Sequence, residues 1–137
     1  MDAPRRQPWI RVALLVGVLY FLIGRIFSLP SAHVQVWRLA AWIVSGVAYA
    51  AHIGYEHFKL RNSARLAAVH VALAVAIGAF ALALAGMIHS LSTAPGFRPA
   101  WLLAMVVWPA VTALPAFLGA LVAGAVLPRL RQSAEDE

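Results

Sequence analysis

Four apolar runs, each about as long as a bilayer core is thick, follow one another with only short polar connections between them. Crossing a hydrocarbon core takes roughly 20 helical residues. The runs Trp9 to Leu29, Val34 to Tyr55, Ala64 to Ser90 and Trp101 to Leu127 all meet that length. In a bilayer the backbone must satisfy its own polar groups, which an α-helix does within a single segment. The expected fold is therefore all-α: an integral membrane four-helix bundle with four transmembrane helices, forming one domain over residues 1–137. Composition excludes a soluble globular alternative, with 63% hydrophobic residues, 12% charged residues and a mean hydropathy of +0.81. The connections are too short to bury a core of their own, so a ligand site belongs among the helices or at their ends.

Charge supplies the orientation. Arg5, Arg6, Arg11, Lys59, Arg61, Arg65, Arg129 and Arg131 fall at one side of the four runs, and only Arg25, Arg38 and Arg98 at the other. The positive-inside rule then places both termini in the cytoplasm, and the inferred location is a bacterial inner membrane. Trp9, Tyr55 and Phe58 mark the cytoplasmic interface, and Trp37, Phe97 and Trp101 the external one. A net charge of +6 does not indicate nucleic acid, because the basic residues are scattered in ones and twos and form no continuous face; anionic lipid headgroups account for them. Arg5 and Arg6 before the run from Val12 to Ile23 resemble the start of a signal peptide. Arg25 and the lack of a small-x-small pattern over Ser28 to Ala32 favour retention of the first span.

The chain has no cysteine, which removes disulfides and thiolate metal sites. Of its five carboxylates, Asp2, Glu135, Asp136 and Glu137 lie in the tails, leaving Glu56 as the one acid in the body. A mechanism based on paired carboxylates within one subunit is excluded.

The second run carries the densest polar signal. Arg38, Trp42, Ser45, Tyr49, His52 and Glu56 step by four and three residues, forming one helical stripe, with Ile43, Val47, Ala50 and Gly54 opposite. Such a stripe must face protein, water or a ligand. In the third run His70, Ala74, Gly78, Ala81 and Ala85 form a small-residue face suited to close helix packing. The turn from His57 to Ser63 makes the second and third helices antiparallel neighbours, which brings His52, Glu56 and His70 to one level, with Tyr55 and His57 nearby.

The candidate polar intramembrane site is therefore Arg38, Ser45, Tyr49, His52, Glu56 and His70. Two histidines and a carboxylate suit a divalent metal, facing histidines suit a haem, and a His–Glu pair suits a proton relay. The purely structural reading pairs Glu56 with Lys59 or Arg61 and lets His52 and His70 bond to each other or to Tyr49 and Ser45. Lys59, a protonated histidine or a bound cation would also offset the helix dipole, which disfavours a carboxylate near a C-terminus. A dihaem site using His33 and His89 as a second pair is excluded. His70 and His89 are separated by roughly 28 Å of helix, which leaves His89 at the external boundary and His33 in a turn.

Pro109 and Pro115 flank Thr112 in the fourth run and predict a kink with freed carbonyls. Ala116, Ala120 and Gly124 give that helix a small-residue face of its own, for packing in the bundle or against another subunit. There is no nucleophile with a matching base and no nucleotide-binding loop. The leading expectation is a non-catalytic accessory, assembly or sensory module without a cofactor, embedded in lipid and joined to copies of itself or to a larger membrane partner. The second is a proton- or cation-coupled small-solute transporter acting as a homo-oligomer. The third is a haem or metal protein using His52 and His70.

Reporter fusions test the orientation. Fusions at Gln132 and near Ser63 are expected to read cytoplasmic and one near Gly96 external; a cytoplasmic signal near Gly96 overturns the four-span reading.

Overall fold

The computed structural model describes residues 8–93, 96 and 99–135. It is all-helical, with no strand among the described residues. Helix α1 spans Pro8–Ile26, α2 Val34–Gly54, α3 Ala64–Thr93 and α4 Pro99–Glu135, and a π-helical turn at Tyr55–Lys59 extends α2. All four helices are long and apolar enough to cross a membrane. Arg5, Arg6, Phe97 and Arg98 lie outside the described residues.

Helix limits depart from the expected spans for local reasons. The second helix passes Tyr55 as far as Lys59, so the connection to α3 shrinks to Leu60–Ser63. The Ser63 hydroxyl accepts the Leu66 N–H at 3.4 Å, and the Ser63 carbonyl accepts the Ala67 N–H at 2.9 Å, which starts α3. His33 is the N-cap of α2, in the left-handed region at φ 54. α1 ends early at Ile26, where the Ser28 hydroxyl takes the Arg25 carbonyl at 2.8 Å and competes with further helix. α4 runs continuously through Pro109, Pro115 and Pro128. Thr112, between Pro109 and Pro115, donates its hydroxyl to the Trp108 carbonyl at 2.9 Å and lies 3.1 Å from that of Pro109.

α3 is the central element. It packs closely against α4 on one side and α1 on the other, while α2 touches its neighbours sparsely. Glycine sets the α1–α3 approach. A Cβ on Gly78 would stand 2.6 Å from Tyr20 Cβ and 3.0 Å from the Gly17 carbonyl, and a Cβ on Gly17 would stand 2.7 Å from Ile77 Cγ2. Ala13, Gly17, Tyr20 and Gly24 thus form the α1 face that meets the small-residue face of α3, a pairing the sequence reading had not singled out. Small residues allow this contact, which dispersion then stabilises. The α4 face is used inside the molecule: Ala120 is buried with Ile53, Ala68 and Val71, and Phe117, Leu121 and Leu127 pack around them. Gly124 lies against Ala64, with no room for a Cβ.

The core is therefore concentrated where the end of α2, the start of α3 and the later half of α4 meet. Outward, the helices present large apolar side chains such as Leu15, Leu39, Val47, Leu103 and Val122, all exposed. Continuous exposure of this kind suits hydrocarbon and not water.

Two glycines separate tight packing from open space. Gly78→Ala is expected to lower stability by about 1–3 kcal/mol through overpacking, whereas Gly46→Ala, whose new Cβ would meet nothing within 4 Å, is expected to leave it unchanged or slightly higher. Thermal unfolding of both variants in detergent checks this, and equal loss at both positions would contradict the close α1–α3 approach.

Candidate functional site

The polar stripe of α2 divides into three parts. At its start Arg38 is exposed, eighteen residues and roughly 27 Å of helix from Glu56, so it takes no part in a shared site with that acid. In the middle, Trp42, Ser45 and Tyr49 line a cavity of about 610 Å³ to which all four helices contribute. At its end, His52 and Glu56 turn inward and meet His70 of α3.

Glu56 is fully buried, at 0% exposure, and His52 and His70 are 3% exposed. Glu56 Oε2 accepts the Asn62 Nδ2–H at 2.6 Å and lies 2.9 Å from His70 Nδ1. Oε1 faces His52 Nε2 at 3.6 Å, within ion-pair distance but too long for a hydrogen bond. Neither Glu56 Oε1 nor either ring nitrogen of His52 has a hydrogen-bond partner among the described residues. Trp9 of α1 stacks on His70 in parallel planes, ring centres 4.3 Å apart, so three helices and the connection close the site.

Local backbone geometry accounts for Asn62. The π turn widens the helix at Tyr55–Lys59, where the Leu60 N–H bonds the Tyr55 carbonyl at 3.1 Å, five residues back. Arg61 then takes a left-handed conformation at φ 51, and the Asn62 N–H returns to the Glu56 carbonyl at 3.1 Å. This resembles a Schellman closure made one residue wider by the π turn. It brings the Asn62 amide back over the carboxyl group in the same movement that ends the helix.

The purely structural pairing does not form. Glu56 is engaged by Asn62 and His70 and not by Lys59 or Arg61, both exposed. His52 and His70 do not bond to each other; both turn toward Glu56. The Tyr49 hydroxyl donates to the Ala116 carbonyl of α4 at 2.6 Å, in the space left by Gly119, and not to a histidine. His57 packs edge-on against Phe58, outside the cluster. His33 caps α2 and His89 lies exposed near the end of α3, so neither joins the site.

Among the described residues no group of three or more His, Asp or Glu side chains is arranged to hold a metal ion. Oε2 and His70 Nδ1 meet each other, and His52 Nε2 faces the remaining oxygen. Glu56, His52 and His70 thus form one buried cluster of titratable groups in mutual contact.

Asn62, Trp9 and Tyr20 were not anticipated as functional residues. Asn62 sits inside a basic turn, and only the π turn and the left-handed Arg61 bring it to Glu56. Trp9 reads as an interfacial aromatic. Tyr20 falls in an otherwise apolar run, yet its hydroxyl is buried without a partner at the cavity wall; a phenol inside such a run is the signal that was available.

No family model matches the chain, and comparison with curated proteins and with solved structures finds none similar to it.

Asn62→Ala removes one of two hydrogen bonds to a buried carboxyl group and is expected to cost about 1–3 kcal/mol. Arg61→Gly keeps the turn while removing the left-handed penalty, and is expected to unfold at the same temperature or higher. A neutral Asn62→Ala together with a strongly destabilised Arg61→Gly would refute this account of the connection.

Proposed function

We propose that this chain is a membrane protein of four spanning helices, with both termini cytoplasmic in a bacterial inner membrane, and that it couples proton binding at Glu56, His52 and His70 to movement of a small solute. One observation carries the reading. The only acid in the body of the chain is fully buried between two imidazoles, with one carboxyl oxygen lacking a hydrogen-bond partner. A site built for stability alone would satisfy that oxygen, since an unpaired buried polar group costs about 1–3 kcal/mol. Ionisable groups in this setting serve proton relays and coupled pathways.

Two further features support transport over a purely accessory role. The cavity adjoins the cluster along one face of α2, so one helix contributes to both. That helix is also the least tightly held, and movement of a loosely held element about a packed scaffold is a common means of switching. In this reading protonation changes the charge among Glu56, His52 and His70, which alters how firmly the end of α2 is drawn to α3. The cavity wall formed by Trp42, Ser45 and Tyr49 shifts with it.

Glu56→Gln tests the proposal, since the amide keeps the size and an acceptor for Asn62 but cannot exchange the proton. In liposomes with an imposed pH gradient, the wild-type protein is expected to take up protons and to show a titrating carboxyl band in the infrared. Glu56→Gln is expected to lose both while retaining its unfolding temperature and particle size. A wild-type response from Glu56→Gln would overturn the coupling role. A haem absorption band, or stoichiometric metal lost in His70→Ala, would instead favour a cofactor protein.

A further inference from the structure

We infer that His70 is the relay through which protons enter and leave the Glu56 cluster, and that His52 stands at its inner, closed end. This rests on the proposed proton binding and adds the route by which the cluster is loaded. A carboxyl group at 0% exposure exchanges protons with water only through a neighbouring side chain or by local opening of the fold. Three polar side chains surround that of Glu56: Asn62, His52 and His70.

Their chemistry separates them. The Asn62 amide donates its Nδ2–H to Oε2 at 2.6 Å, but an amide does not take up and release protons as an imidazole does, so it ties the carboxyl group to the turn without conducting. His52 can carry a proton but has nowhere to pass it on. Its side chain is 0% exposed, neither ring nitrogen has a hydrogen-bond partner among the described residues, and the gap to Oε1 is 3.6 Å. His70 differs on each count. Its Nδ1 is 2.9 Å from Oε2, and its side chain alone among the three titratable ones retains exposure, at 4%.

Imidazole suits the task because its two nitrogens work in turn. With Glu56 ionised, His70 Nδ1–H donates to Oε2 and Nε2 holds a lone pair. A proton from hydronium or a buffer acid bonds to Nε2, the Nδ1–H bond breaks, and that hydrogen is left on Oε2. The ring and the carboxyl group both end neutral, and release runs the same steps in reverse. Trp9, stacked parallel on the ring at 4.3 Å, fixes its plane and so keeps Nδ1 on the carboxyl group. From α2 and its π turn, His52 and Glu56 are the titratable groups turned toward His70; Arg11, Lys59, Arg61, Arg65 and Arg129, around this end of the bundle, are exposed. The two histidines also belong to different parts of the molecule, His70 to the packed α3 and His52 to the sparsely held α2. The proton therefore arrives from the scaffold side.

A pH jump to acid on the purified full chain in detergent, followed by time-resolved infrared absorption, tests the route. The carboxyl C=O band that Glu56→Gln removes reports the proton on Glu56. His70→Gln is expected to slow the appearance of this band about a hundredfold while leaving its final amplitude near that of the wild type. Imidazole added to His70→Ala, where the lost ring leaves room beside Trp9, is expected to restore the speed, and His52→Gln is expected to keep the wild-type rate. Wild-type protein carrying 15N-histidine gives a measurement that needs no variant to fold: the ring N–H of His70 is expected to exchange with water at least about tenfold faster than that of His52.

A wild-type rate in His70→Gln, or a His52 ring that exchanges as fast as His70, would overturn the relay. Slowing in His70→Ala without rescue by imidazole would make His70 a structural support of Glu56 and would overturn it as well. A wild-type carboxyl band that does not respond to pH would instead overturn the proton-binding reading itself, and the route with it.

Discussion

Removing a carboxyl group from water imposes hydrogen-bonding demands that shape this end of the molecule. The desolvation penalty for a buried ion is several kcal/mol even after relaxation, and hydrogen bonds to charged groups return about 1.5–3 kcal/mol each. Glu56 meets these demands in part, through Asn62 and His70 on one oxygen. Several otherwise separate features are consequences of that arrangement. Glu56 stays on the inward face set by His52 four residues earlier, the π turn and the left-handed Arg61 return Asn62 to it, and Trp9 stacks on His70. The other oxygen faces His52 at a distance too long for a hydrogen bond.

A second constraint is the unequal tightness of the helices. Gly17 and Gly78 bring α1 and α3 so near that either Cβ would clash, and Gly124 does the same for α4 against the start of α3. Those three helices form a scaffold through close contact of small residues. α2 contributes Ile53 to the core and places Tyr49 against α4, but its earlier half carries Trp42 at 78% exposure and diverges enough to leave the cavity. Stability is thus concentrated at the end that holds the carboxyl group, and open space at the end that does not.

The helical class and its four long apolar elements were legible because they follow from run length and composition, which need no tertiary information. The meeting of His52, Glu56 and His70 was legible for a similar reason, since a short connection leaves antiparallel helices few ways to pair. Partner choice was not. The expectation that Lys59 or Arg61 would take Glu56 assumed an acid at an exposed helix end, whereas Glu56 is buried on the face it shares with His52 and both basic residues are exposed. Asn62 was hidden because six residues of separation place two side chains together only when the backbone reverses between them. The stripe was legible as a stripe but not as three environments, since periodicity fixes the face of a helix and says nothing of what stands opposite each turn. The α1 face was overlooked because Gly17 and Gly24 are seven residues apart, and the pairing with Gly78 needs the helix crossing to reveal it.

The Tyr49 bond to Ala116 joins these parts. Tyr49 lines the cavity one turn before His52, and its hydroxyl reaches across to a carbonyl of α4 just past Pro115. That carbonyl belongs to the same helix face that meets Ile53 and Val71 through Ala120. A shift of α2 that altered the distance from His52 to Glu56 would therefore also strain or release the tie to α4, at the boundary between cavity and core. Packed interiors favour discrete arrangements over continuous deformation. In the proposed transporter, Tyr49 is then the position at which a change in proton content at Glu56 is converted into a change in cavity shape. Gly119 gives the Tyr49 hydroxyl the room on α4 that this tie requires, since a Cβ there would lie 2.7 Å from it.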